Sequence, residues 1–144
     1  MSRTVSRLLA IVLFTATAGC LPAKAESKPY YQYEPFTLAF TGPRAAELDE
    51  INPFLDYRFD VTFSRGVRSF VVPGYFAADG NAAETGAEGG DQWHVRFAAD
   101  EPGVWQYRVS FKQGKGVAVE TDSGTSLPVK GIDGQEGSIT VLDA

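Results

Sequence analysis

The stretch that decides the fold is Gln92-Trp93-His94-Val95-Arg96-Phe97-Ala98-Ala99-Asp100-Glu101-Pro102-Gly103-Val104-Trp105-Gln106-Tyr107-Arg108-Val109-Ser110-Phe111-Lys112. Trp93, Val95 and Phe97 alternate with Gln92, His94 and Arg96. Trp105, Tyr107, Val109 and Phe111 alternate with Gln106, Arg108, Ser110 and Lys112. Such period-2 patterning describes strands with one buried and one wet face. Between them Pro102 presets φ near −65° and Gly103 accepts positive φ, the two demands of a type II turn, so the pair is predicted to be a hairpin. Arg96 and Arg108 would then lie near each other on outward faces, or face Asp60 and Glu101, as a surface ion-pair ladder.

Outward from this stretch the same period recurs. In residues 55–63, Leu55, Tyr57, Phe59, Val61 and Phe63 alternate with Asp56, Arg58, Asp60 and Thr62. Shorter candidate strands are residues 36–40, 69–72, 117–120 and 138–142. Helical composition is confined to residues 43–51, where Asn52-Pro53 ends it. Residues 77–91, rich in Ala, Gly and acids, read as a long surface loop with almost nothing to bury. Seven to eight short strands without a long helix predict an all-β, antiparallel β-sandwich with Phe59, Val61, Trp93, Val95, Phe97, Trp105, Tyr107 and Val109 in its core.

The 144 residues suit one domain and are too few for a (β/α)8 barrel, which needs ~250. A formal charge of −5 disfavours a nucleic-acid partner. One Cys and one His exclude a disulfide framework and a multi-histidine metal centre. Arg3 and Arg7 precede an apolar run over residues 8–19, too short to span a membrane, and Ala23-Lys24-Ala25 has the A-x-A form of a cleavage site. Residues 1–25 therefore read as a signal peptide, and the protein as extracytoplasmic. A competing reading takes Thr17-Ala18-Gly19-Cys20 as a lipobox with Cys20 lipidated, so soluble export and a lipid anchor both stay open. Cleavage after Ala25 leaves ten Lys and Arg against eighteen Asp and Glu, a charge of −8. Residues 26–35 form a lead-in and residues 36–144 the sandwich.

Asn52-Pro53-Phe54, Pro73-Gly74-Tyr75-Phe76 with Asp79-Gly80, Trp93-His94-Val95-Arg96-Phe97, and Asp100-Glu101-Pro102-Gly103-Val104-Trp105-Gln106-Tyr107 occur in this order. The set resembles the immunoglobulin-like domain of unknown function that stands N-terminal to the barrels of bacterial glycoside hydrolases, including apiosidase-like ones. The string around Trp105 is also similar to the tyrosine corner of immunoglobulin-like sandwiches, with Trp in place of Tyr. The resemblance implies an immunoglobulin-like sandwich and a non-catalytic accessory role, with a glycoside hydrolase catalytic domain or carbohydrate as partner. Two other readings stand beside it: a free-standing carbohydrate-binding or surface adhesion module, and the N-terminal fragment of a longer glycoside hydrolase.

No Ser-His-Asp order, phosphate-binding glycine loop or convincing carboxylate pair is visible, so no catalytic residue is expected. For a sugar-stacking surface the candidates are Tyr31, Tyr75 and Phe76, since alternation sends the tryptophans into the core. The Tyr30-Tyr31-Gln32-Tyr33 cluster has a plainer reading as a first strand packed on the sandwich edge. These tyrosines and residues 73–76 would also contribute an exposed apolar docking patch. Asp79, Asn81, Glu84 and Asp91, with Glu88, offer oxygen donors within thirteen residues, the hard ligands that calcium takes, although the spacing is not that of an EF-hand. Calcium is the one cofactor these residues raise. His94 reads as a surface histidine.

Overall fold

The structure, a computed structural model, describes residues 28–120 and 125–144. The signal peptide read over residues 1–25 and the lipidation candidate Cys20 lie outside the described residues. Of the described residues 52% are in strands and 4% in helix, so the molecule is all-β. In chain order the elements are β1 (Tyr30–Tyr31), β2 (Phe36–Ala46), β3 (Tyr57–Arg65), β4 (Arg68–Pro73), β5 (Tyr75–Phe76), α1 (Ala82–Thr85), β6 (Gly89–Phe97), β7 (Gly103–Gln113), β8 (Leu127–Pro128) and β9 (Glu136–Leu142). One sheet has the order β1-β9-β7-β3-β4, with β8 joined to the end of β7, and the other is β2-β6-β5.

Alternation fixes which side chains meet between the sheets. Phe59, Val61 and Phe63 of β3 and Trp105, Val109 and Phe111 of β7 point inward against Phe36 and Phe40 of β2 and Trp93, Val95 and Phe97 of β6. Phe63 and Phe97 stack face to face across the layers, with ring centroids 4.2 Å apart. Trp93 packs edge-on against Phe111 at 4.7 Å. These large rings supply most of the apolar area that a small two-layer domain can remove from water. Of the eight side chains predicted for the core, Tyr107 alone is only partly buried.

The predicted hairpin is not one. β6 and β7 belong to different sheets, and residues 98–102 carry the chain across the core from one layer to the other. Ala99 is fully buried at the crossing, and its carbonyl accepts the Tyr33 N–H at 2.9 Å. The partner of β7 is β3 on one side and β9 on the other. Arg96 and Arg108 therefore sit on opposite layers. Arg108 pairs loosely with Glu136 at 3.4 Å, while Glu101 is taken by Arg65 and by Arg68.

Three further expectations shift. Residues 43–46 extend β2 instead of opening a helix. A bulge between Thr41 and Ala45 resets the register so that Ala45 and Ala46 face Gly90 and Gly89, and tertiary pairing overrides local composition. The single helical turn among the described residues, α1, falls within the acidic stretch of residues 77–91, which also buries Ala78 and begins β6 at Gly89. Gly90 is required there because a Cβ would stand 2.0 Å from the Ala78 carbonyl oxygen. Residues 117–120 form turns, and Val117 is buried without belonging to a strand. The lead-in contributes β1, which runs parallel to β9 with Tyr30 opposite Val141, as the plainer reading of the tyrosine cluster expects.

Candidate functional site

A cleft of about 340 Å³ opens where the chain leaves β4 and enters β5, changing sheets at Pro73-Gly74. Gly74 permits the change, since its N–H reaches the Phe59 carbonyl at 2.7 Å and an added Cβ would strike the Phe59 ring at 2.1 Å. Tyr57, Phe76 and Trp93 form the inner wall. Phe54 and Tyr75, each about half exposed, stand at its mouth. Each ring has an edge-on neighbour, Phe76 for Phe54 at 6.0 Å and His94 for Tyr75 at 5.9 Å.

One lip is built by Asp56, a residue that alternation had marked only as wet. Its Oδ2 accepts the Asn52 N–H at 2.8 Å and its Oδ1 the Gly116 N–H at 2.9 Å. Its own carbonyl takes the Gly114 N–H, while Leu55 takes the Ala118 N–H at 3.0 Å. A single carboxylate thus ties residues 52–56 to the turn at 114–118 and sets Phe54 and Ala118 beside the cleft. The Gly116 amide, then the Asn52 amide, outweigh burial and hold the Asp56 carboxyl below the usual carboxylate range, with Lys115 adding to the effect.

The polar groups at the cleft are Arg58 and Asp60, successive outward residues of β3. Arg58 Nε donates to Asp60 Oδ2 at 3.0 Å. Among the described residues, Asp60 Oδ1 and the two Arg58 Nη groups take no other hydrogen bond. The site therefore presents an open acceptor, open donors and two aromatic faces. Among the described residues, Asp60 is the only carboxylate lining it. Glycosidic hydrolysis by two opposed carboxyl groups requires a second. Burial pushes the Tyr57 phenol up, with Asp49 and Asp56 adding to it, so it remains a neutral group at the wall.

The structure divides the sequence-derived candidates. Tyr75 lines the cleft with an exposed face. Phe76 lines it too, but is buried against Trp93 at 5.1 Å and belongs to the core rather than to an open stacking surface. Tyr31 is half-buried on β1, at the opposite edge of the larger sheet from β4, whereas Tyr75 is on β5 of the other sheet, so the two do not form one stacking surface. The apolar patch expected from residues 30–33 and 73–76 is redrawn accordingly: Phe54, Leu55 and Tyr75 are exposed near the cleft, and Tyr33 stands apart. Phe54 at the cleft and Asp56 at its lip are the residues that periodicity missed. The signal for both was Asn52-Pro53, a turn whose Asn52 Oδ1 accepts the Phe54 N–H at 2.9 Å.

The oxygen donors proposed for calcium are partly committed elsewhere. Asp79 accepts the Thr85 hydroxyl at 2.7 Å and the Asn81 N–H at 2.8 Å, closing the turn before α1. Asn81 donates to Glu84, and Asp91 lies on β6 bonded to Gln92. Among the described residues no three His, Cys, Asp or Glu side chains gather as a metal cluster. His94 is half-buried on β6 and held below the usual imidazole range by desolvation. No helix among the described residues is long and apolar enough to cross a membrane.

Trp105 completes the corner anticipated from sequence. Its indole nitrogen donates to the Glu101 carbonyl at 2.9 Å, which is the bond a tyrosine corner makes with its hydroxyl.

No curated protein matches the chain. Over 82% of its length it superimposes, with a TM-score of 0.53 and 21% identity, on the crystal structure of a candidate glycoside hydrolase from Bacteroides vulgatus ATCC 8482. It spans 17% of that chain's length, and the likeness establishes the fold. The profile of DUF5060, a domain of unknown function, matches residues 29–112, more than half of the chain, and the protein belongs to that family.

Proposed function

We propose that the chain is a non-catalytic β-sandwich that serves a carbohydrate-active catalytic module in an extracytoplasmic compartment. The observation that carries this reading is the placement of the fold. The sandwich corresponds to 17% of the length of a far longer candidate glycoside hydrolase, a share that suits one domain of a larger enzyme and supports the accessory reading. Site chemistry supports it, because the cleft offers one carboxylate, already held by Arg58, and no second group across a gap of the size an acid and a nucleophile or base require. The positive n-region, apolar run and A-x-A site of residues 1–25 support export.

The test is retention. The purified chain is immobilised and exposed to an extract of its source cells, and the eluate is assayed for release of reducing sugar from polysaccharides. The reading expects the chain alone to release none, and the eluate to carry activity traceable to one catalytic module. An eluate without activity, or turnover by the chain itself, overturns it.

A further inference from the structure

We infer that the cleft between Phe54 and Tyr75 is a binding site for a single neutral sugar ring. This deepens the accessory reading and rests on it only in taking a carbohydrate over other neutral polyols. A pyranose offers one face of C–H bonds and a rim of hydroxyls that both donate and accept. The cleft is complementary to both. Phe54 and Tyr75 present half-exposed rings, each held by an edge-on ring neighbour, Phe76 and His94, so stacking costs little ordering. Beside them Asp60 Oδ1 offers an acceptor and the Arg58 Nη groups offer donors, because their mutual bond uses only Oδ2 and Nε.

Charge selects among ligand classes. Arg58 and Asp60 neutralise each other at 3.0 Å, so the site favours neither anion nor cation and suits an uncharged polyhydroxyl ligand. Size sets the extent: about 340 Å³ is near the lower end for small-molecule sites and accommodates one ring rather than a polymer. The concavity of about 390 Å³ over β3, β4, β7 and β9 is polar, and its one aromatic ring, Tyr107, packs against Phe40 and Phe63. That of about 360 Å³ beside Pro43 has no aromatic ring, and that of about 460 Å³ beside Tyr30 has no charged side chain to pair with a hydroxyl rim.

The experiment is amide and indole chemical-shift mapping of the purified chain titrated with methyl β-glucoside, methyl β-galactoside, methyl β-xyloside and methyl α-rhamnoside. The expected result is saturable shifts at Gly74, Tyr75 and the Trp93 indole, with a Kd in the millimolar range, while the Trp105 indole stays unmoved. Tyr75→Ala and Phe54→Ala should each weaken binding about tenfold, and Tyr75→Phe should keep it. Asp60→Asn should weaken it while leaving the melting temperature in place, and Val104→Ser, on an exposed position of β7, should change nothing. No saturable shift with any of the four glycosides overturns the site, as does unchanged affinity in both Tyr75→Ala and Phe54→Ala. Retention of a catalytic module by a chain that ignores all four removes the sugar site and leaves the accessory reading. Glycoside binding by a chain that retains no module does the reverse.

Discussion

The indole N–H of Trp105 donates to the carbonyl of Glu101, four residues upstream, at 2.9 Å, and this bond pins the start of β7 to the segment that has just crossed between the sheets. The same segment is held from outside. Glu101 bonds Arg65 and also Arg68 Nε at 2.8 Å, and Asp100 bonds Arg68, so the hairpin of β3 and β4 clasps the crossing. Trp105→Phe keeps most of the ring but leaves the Glu101 carbonyl without its donor, and should cost about 1–2 kcal/mol. Trp105→Ala adds a cavity, for a total of ~3–5 kcal/mol. Denaturant unfolding of both variants checks the order and the gap.

Gly103 has φ of +122°, and a Cβ there would stand 2.7 Å from Arg65 Nε. Gly103→Ala should therefore destabilise by about 1–3 kcal/mol through backbone strain and displacement of the Arg65–Glu101 pair. Glu101→Gln should cost under ~1 kcal/mol, because these charges are about one-third exposed and screened, and its effect should fade in high salt. Thermal melts at low and high salt separate the two variants.

How far these features were legible follows from what alternation encodes. Alternation tells which face of a strand is buried, and it placed Phe59, Val61, Trp93, Val95, Phe97, Trp105 and Val109 inside. It does not tell which sheet a strand joins. Residues 98–102 satisfy the local chemistry of a turn as well as that of a crossing, and the choice is made by Ala99, small enough to be buried, and by Arg65 and Arg68, distant in sequence. The cleft was half legible. Pro73-Gly74-Tyr75 announced a break in a strand and an exposed aromatic. The pairing of Asp56 with Gly116, sixty residues away, could not be read from either segment alone.

Asp56 gives a test of that lip. Its folded carboxyl titrates below the unfolded value, so its contribution is fully present above the unfolded pKa, near 3.8, and is lost as pH falls through the folded value. Asp133 acts in the same sense: burial works against its charge, but the Lys112 ammonium at 2.8 Å, the Phe111 N–H and the charges of Lys112 and Arg108 together outweigh it. Asp56→Ala should free residues 52–56 and 114–118 together, seen as faster amide exchange at Gly116 and Ala118. Unchanged protection at Ala118 would contradict the latch.

His94 supplies the opposite residue type with the same slope. Its folded pKa is depressed by desolvation, so the unfolded chain binds more protons between that value and 6.5, and stability rises with pH across this window. Below it the protonation penalty is complete. His94→Gln should flatten the dependence of stability on pH just below 6.5, measured by denaturant midpoints from pH 5 to 7.5. A slope unaltered by the substitution would place its origin elsewhere.

The proposed accessory role requires that the sandwich carry no hydrolytic chemistry of its own. The most direct measurement is release of reducing ends from plant and bacterial polysaccharides by the purified chain over a prolonged incubation, run beside Asp60→Asn. The account predicts no release by either. Reproducible turnover by the wild type that disappears in Asp60→Asn would contradict it, since the lone carboxylate of the cleft would then be catalytic.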